Sequence, residues 1–261
     1  MDPFVALMRR YVVDYTNRHD TSVCAEIMEP DYTLRMGAHV VSGRDDAYIP
    51  ASRKQFAQFP GLGLTVHELV SNGDRLAMRF SEHGASRRHG GAMAIWTGLG
   101  LYRWNGRKLV DNYVEQDYLS RRRQLSGTGP DIAQPPALAP WDTVAIDADP
   151  TAERTVRCWI DGGLAGDRVA WDDGDTTALL TDPRSHVDDL FSAGDRVAFR
   201  LTQRGRYAGG LDQVAGAPVD TPSVLHLVGL VRVAGSRVNG GWIVRDRLGL
   251  AKALTERALA S

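Results

Sequence analysis

Residues 66–84 read VHELVSNGDRLAMRFSEHG and residues 187–205 read VDDLFSAGDRVAFRLTQRG, identical at nine of nineteen positions with a constant offset of 121. Each stretch is a strand-length run, a turn containing Gly-Asp and a second run, the pattern of an antiparallel hairpin. The likeness continues downstream. GLYRWNG at 100–106 matches GLVRVAG at 229–235 at offset 129, which also pairs Asp117 with Asp246, Leu119 with Leu248 and Leu125 with Leu254. A likeness that recurs in order over such a span means two copies of one architecture. Between the copies, SGTGPDIAQPPALAP carries Pro130, Pro135, Pro136 and Pro140 without apolar periodicity and reads as a stiffened, semi-extended linker. The expected division is a complete domain over 1–126, a linker over 127–140 and a shortened domain over 141–261.

Outward from the hairpin, the first copy opens with Phe4, Leu7, Met8, Tyr11, Val12 and Tyr15 spaced for one face of a helix begun near Asp2 and Pro3. RDDAYIPASRKQFAQF, from Arg44, predicts a second helix with Pro50 in its early turns and Pro60 at its end. The period then changes. LTVHELV, RLAMRFSEH, AMAIWTGLGLYRW and KLVDNYVEQDY are strand-length runs separated by NGD, RRHGG and NGR turns, which predicts an antiparallel meander. Helices first and strands afterwards give the class α+β. Matching Asp14 to Asp161 gives offset 147 at the first helix against 121 at the hairpin, so the second copy lacks 26 residues, those of the first strand and second helix. Across GRYAGGLDQVAGAPVDTPS it gains eight instead, as the offset grows from 121 to 129.

Composition narrows the function. With 31 basic against 32 acidic residues and 43% apolar content, the chain is a globular protein with no broad attraction for nucleic acid or a membrane surface. Charges at Arg9 and Arg10 interrupt the first apolar segment before it reaches the length of a signal or spanning helix, and a cytoplasmic location is expected. Cys24 and Cys158 lack metal-ligand spacing and read as buried free thiols. Arginine outnumbers lysine 28 to 3, so runs such as Arg121, Arg122 and Arg123 read as a solvated face. No phosphate-binding glycine motif, HExxH or Cys/His cluster occurs, which leaves no expectation of a metal or cofactor.

Phe59, Pro60, Leu62 and Val66, followed by Leu69, Gly73, Asp74, Arg75, Ala77 and Arg79, resemble the signature of SnoaL-like polyketide cyclases in the NTF2-like superfamily. The second copy repeats it with Val187, Leu190, Gly194, Asp195, Arg196, Ala198 and Arg200, and RDRLGLAKAL at 245–254 resembles the family's closing segment. The resemblance implies two cone domains, each a curved antiparallel sheet wrapped around N-terminal helices. Relatives pair sheet to sheet, so the tandem chain is expected to form an intramolecular pseudo-dimer, with further homo-oligomers left open. It also implies a pocket for a hydrophobic small molecule, complete in the first domain and reduced in the second. The aspartate that serves as acid/base in the cyclases falls at Val114 and Ile243, and the one used by ketosteroid isomerases falls near Met36.

The candidate acid/base group therefore comes from the central strand. Alternation places Met78, Phe80 and Glu82 on one face and Arg79, Ser81 and His83 on the other. The second copy replaces Glu82 by Gln203 and keeps the apolar line as Phe199 and Leu201. Glu82 is the leading catalytic candidate, with His83 and Glu115 in reserve; Asp117, matched by Asp246, reads as a helix cap. Tyr15, Tyr32, His39, Phe80, Trp96, Asn112 and Tyr113 are the candidate substrate-binding residues. Two functions follow: a cofactor-free enzyme performing cyclisation, isomerisation, dehydration or epoxide opening, or a non-catalytic module that binds a ligand or a protein.

Overall fold

The computed structural model describes residues 1–164, 166, 168–172, 174–214 and 217–260. Helix α1 (Pro3–Arg9) starts where the Asp2 carboxylate accepts the Phe4 and Val5 N–H groups at 2.9 and 3.1 Å. It continues through Arg10–Thr16 in wider turns, with Asn17 N–H bonded to the Val12 carbonyl five residues back. The predicted face, Phe4 to Tyr15, is buried throughout. The short helix α2 (Cys24–Ile27) leads to strands β1 (Met28–Met36) and β2 (His39–Ser42), then to α3 (Ile49–Gln58). Pro50 sits in the first turn of α3, where a missing N–H costs little, and the helix ends at Gln58, two residues before Pro60. Strands β3 (Gly63–Ser71), β4 (Arg75–Ser86), β5 (Ala92–Trp104) and β6 (Leu109–Gln116) form the expected meander. Helix α4 (Tyr118–Arg123) follows, capped by Asp117 through the Ser120 N–H at 3.1 Å.

The sheet order is β2-β1-β6-β5-β4-β3. One pairing departs from the antiparallel expectation: β1 runs parallel to β6. Its direction is set by the chain's passage through β2 and α3, and no tight turn joins it to β6.

The second half begins with α5 (Pro150–Asp161), capped by Asp149, and continues as β7 (Val169–Trp171), β8 (Leu180–Ala193), β9 (Arg196–Tyr207), β10 (Pro222–Ala234), β11 (Arg237–Arg245) and α6 (Arg247–Ala260). Its sheet, β7-β11-β10-β9-β8, repeats the first one without a counterpart of β2. The first strand survives as the three residues of β7, parallel to β11 as β1 is to β6, which corrects the expectation of its complete loss. No counterpart of α3 stands between β7 and β8 among the described residues. The lengthened connection lies between β9 and β10, and its residues 215 and 216 are outside the described set. Cys24 is buried as expected; Cys158 is exposed, because α5 turns Ala152, Val156 and Ile160 inward.

The two sheets meet face to face. Ala77, Leu99 and Leu101 share an apolar cluster with Phe191, Ala198, Val228, Leu230 and Val244. At its rim Arg75 pairs with Asp189, and Arg196 reaches Glu68 at 3.1 Å. A buried Arg247 from α6 grips the α4 cap residue Asp117 at 2.7 and 2.8 Å. The proline-bearing segment follows the edge of β3, where Ala137 N–H meets the Val66 carbonyl at 2.8 Å and Ile146 N–H meets that of Ser71 at 2.9 Å. Among the described residues no helix is long and apolar enough to cross a membrane.

Candidate functional site

Between the concave face of the first sheet and helices α1 and α3 lies a chamber of about 140 Å³. Strand alternation explains its sheet wall. Glu82 pairs with Leu64 on one side and Trp96 on the other, and it points inward in line with Met78 and Phe80. Its side chain is 6% exposed. One carboxylate oxygen accepts the Gln55 side-chain N–H at 2.7 Å, and Gln116 is a further donor beside it. The Trp96 indole N–H donates to Gln116 Oε1 at 2.6 Å, which leaves the Gln116 amide N–H₂ as a donor. Burial raises the Glu82 pKa to about 7, against the opposing charge of Arg121 and these neutral donors.

Phenols line the helix side. Tyr11 and Tyr15 come from α1 and its wider continuation, and Tyr48 and Ser52 from the entry to α3. Tyr15 Oη donates to Ser52 Oγ at 2.7 Å and approaches Tyr48 Oη at 3.3 Å; Tyr11 Oη and Tyr48 Oη are 3.1 Å apart. Burial pushes all three phenol pKa values up, so they remain protonated donors. The chamber thus sets one ionisable carboxylate among neutral hydrogen-bond donors.

Tyr15 and Glu82 are the predicted residues that line this chamber. Trp96 supports Glu82 from behind, through Gln116. Phe80 belongs to the core, its ring packed over Gly98. Tyr32 donates to Asn112 Oδ1 at 2.7 Å, a fully buried pair in the body of the core. Tyr113 faces the other half of the molecule, with the Arg35 and Arg200 guanidinium groups 5.4 and 5.3 Å from its ring centre. The cause is the alternation of β6: Val114 and Gln116 turn toward the chamber while Tyr113 and Glu115 turn away. His83 is exposed on the face of β4 opposite Glu82, 3.3 Å from Thr65 Oγ1 and outside the chamber. His39 is exposed at the rim of a neighbouring space.

That space is a vestibule of about 680 Å³, which shares Met36, Gln55, Gln116 and Tyr118 with the chamber. The second half closes its far side with Asp246, Leu248, Gly249 and Lys252. Glu115 is buried where the halves join, accepting the Gly37 N–H at 2.9 and 3.1 Å with Arg200 4.0 Å away. Burial, reinforced by the charge of Asp246, pushes its pKa well up. Arg121 is packed on the rings of Tyr118, Trp96 and Phe59, at 4.1, 5.0 and 5.7 Å, and lines the vestibule, where the sequence had placed it on a solvated face.

Gln55, Gln116, Tyr11, Tyr48 and Arg121 were not singled out from the sequence. Gln116 was within reach, two residues beyond Val114 on the same face; Gln55 on a polar helix carried no signal. Among the described residues no group of three His, Cys, Asp or Glu side chains is placed to hold a metal ion.

The fold and chamber define an α+β protein of two packed sheets, the first of which encloses a pocket with its helices. The model of the SnoaL-like domain family matches residues 8–112, within the first half of this chain. Similar solved structures include a protein of Jannaschia sp. CCS1 assigned to the SnoaL-like polyketide cyclases, 19% identical over 48% of this chain and 92% of that one, with a TM-score of 0.45. IdmH of Streptomyces antibioticus, assigned as a polyketide cyclase, is 20% identical over 48% of this chain and 99% of its own, at 0.42. AclR of Streptomyces galilaeus, assigned as a hydroxylase, is 21% identical over 46% and 93%, at 0.41. No curated protein matches the chain.

Proposed function

We propose that the protein is a cofactor-independent enzyme that moves a proton on a hydrophobic small molecule, with Glu82 as the acid/base group and the first half as its catalytic domain. Residues 1–126 then form the working domain, 127–140 the connection and 141–261 the domain that completes the entrance. The observation that carries the reading is the Glu82 carboxylate, buried in an open chamber with a pKa of about 7 and surrounded by neutral donors. A carboxylate poised there removes a proton next to a carbonyl and returns it elsewhere, and protonated phenols stabilise the enolate oxygen. Cyclisation, isomerisation and dehydration all use this step.

A second reading, a non-catalytic binding module, draws on Val114, an apolar residue lining the chamber where cyclases carry their aspartate. Replacement of Glu82 separates the two. Once a substrate is found, Glu82→Gln should lower kcat by about a hundredfold or more, with ligand affinity retained. Wild-type kcat/KM should rise with pH through about 7 when Glu82 acts as the base. Turnover unchanged in the variant removes Glu82 from the chemistry.

A further inference from the structure

We infer that the substrate is an amphiphilic anion: a carboxylate joined to a compact apolar ring or chain, seated with its apolar end beside Glu82 and its carboxylate in the vestibule against Arg121. The inference rests on the acid/base reading of the chamber and adds the class of molecule that enters it.

The charges around the vestibule carry it. Lys54 arrives from α3, Arg87 and Arg88 from the turn between β4 and β5, Arg121 from α4 and Lys252 from α6, all on the lining of one concavity. None of the five forms an ion pair with a described residue, whereas elsewhere Arg10, Arg44, Arg75, Arg103 and Arg245 each meet a carboxylate. The two carboxylates on the same lining are already engaged: Glu115 holds the Gly37 N–H, and Asp246 caps α6 through the Gly249 N–H at 2.8 Å. Arg121 and Lys252 act on Glu82 and Asp246 only from beyond salt-bridge distance, and cations without a salt-bridge partner converging on a concavity concentrate potential there and favour an anion.

Arg121 differs from the others because its guanidinium is held in advance by three aromatic rings. Tyr118, the nearest of them, lines both the chamber and the vestibule, so the held cation stands where the two spaces join. Its planar fork matches a carboxylate in two parallel hydrogen bonds. The chamber limits the other end of the ligand. At about 140 Å³ it is close to the roughly 150 Å³ apolar cavity that admits a benzene ring, so one ring fills it and the charged group stays outside.

The test uses the full chain and two probes of equal length, 4-phenylbutanoate and 4-phenylbutanol, titrated calorimetrically at low salt. The acid is expected to bind about tenfold tighter than the alcohol, with the difference shrinking as salt is raised. Arg121→Gln should abolish the preference. Lys252→Glu, at an exposed position whose change leaves the core untouched, should reduce it severalfold. Equal affinity for the two probes, no binding of the acid at millimolar concentration, or a preference intact in both variants overturns the inference. Glu82→Gln separates it from the catalytic reading: that variant should keep the acid preference whether or not turnover survives.

Discussion

At Glu82 the cost of burying a charge is written into the pH dependence of stability. Its folded pKa stands at about 7 against an ordinary 4.5, so between those values the folded state holds a proton that the unfolded chain releases. Its contribution to stability is therefore full below about 4.5 and is lost as pH rises through about 7. Glu82→Gln should match the wild type near pH 4 and exceed it by about 2–3 kcal/mol at pH 8, read from urea unfolding at the two values. A variant less stable at pH 8 would mean that the carboxylate is held by its donors more strongly than burial opposes it. The phenols predict a kinetic effect. Tyr15→Phe removes the donor to Ser52 and one member of the hydroxyl cluster, and kcat should fall roughly 10- to 100-fold with KM nearly unchanged. An equal loss in Tyr15→Phe binding affinity would place that hydroxyl in substrate binding instead.

Among the elements, the turn between β1 and β2 has the tightest requirement. Gly37 adopts φ +55°, its N–H serves Glu115, and a Cβ there would collide with the Asp246 carboxylate of the other half. Gly37→Ala should cost about 2 kcal/mol or more in denaturant unfolding, from left-handed strain and displacement of a buried carboxylate together. A neutral result would show that α6 shifts freely away from the turn. This contact also marks the limit of what the sequence displays. Short-range periodicity exposed the buried face of α1 and the inward line Met78, Phe80, Glu82, because a helix repeats every 3.6 residues and a strand every two. The same rule applied to β6 would have separated Asn112 from Tyr113, which cannot share a wall. The parallel seat of β1 and the entrance built by α6 join residues far apart in the chain, and no local period encodes them. Arg121 was hidden for another reason: its environment is three aromatic rings that only the fold brings together.

At the scale of the whole molecule, the second sheet packs on the first and the second half covers part of the first. The covered surface has two parts. One is the outer face of the first sheet, with Ala77, Leu99 and Leu101 set against Phe191, Ala198, Val228, Leu230 and Val244. The other is the edge of β3, whose Val66 and Ser71 carbonyls accept N–H groups from Ala137 and Ile146. Residues 1–128 expressed alone lose both covers at once. An apolar face and an unpaired strand edge each promote association, and here they lie on the same sheet. That fragment should elute as a dimer or larger species in size-exclusion chromatography and bind a hydrophobic dye more strongly than the full chain. Its preference for an acidic probe should fall severalfold, because Lys252 no longer closes the vestibule while Arg121 remains. A compact monomer with the full-length ligand preference would show that the first half is self-sufficient. The buried Arg247 gives the complementary measurement in the intact chain. Its guanidinium meets Asp117 across the junction, and Asp172 lies 3.4 Å from its Nε. Arg247→Leu leaves the Asp117 carboxylate buried without its cation, while Asp172 keeps Arg245 at 2.6 Å, and should destabilise the protein by about 3 kcal/mol, whereas an isolated surface pair would contribute less than 1. A small loss on that substitution would mean the halves are held by the apolar face alone.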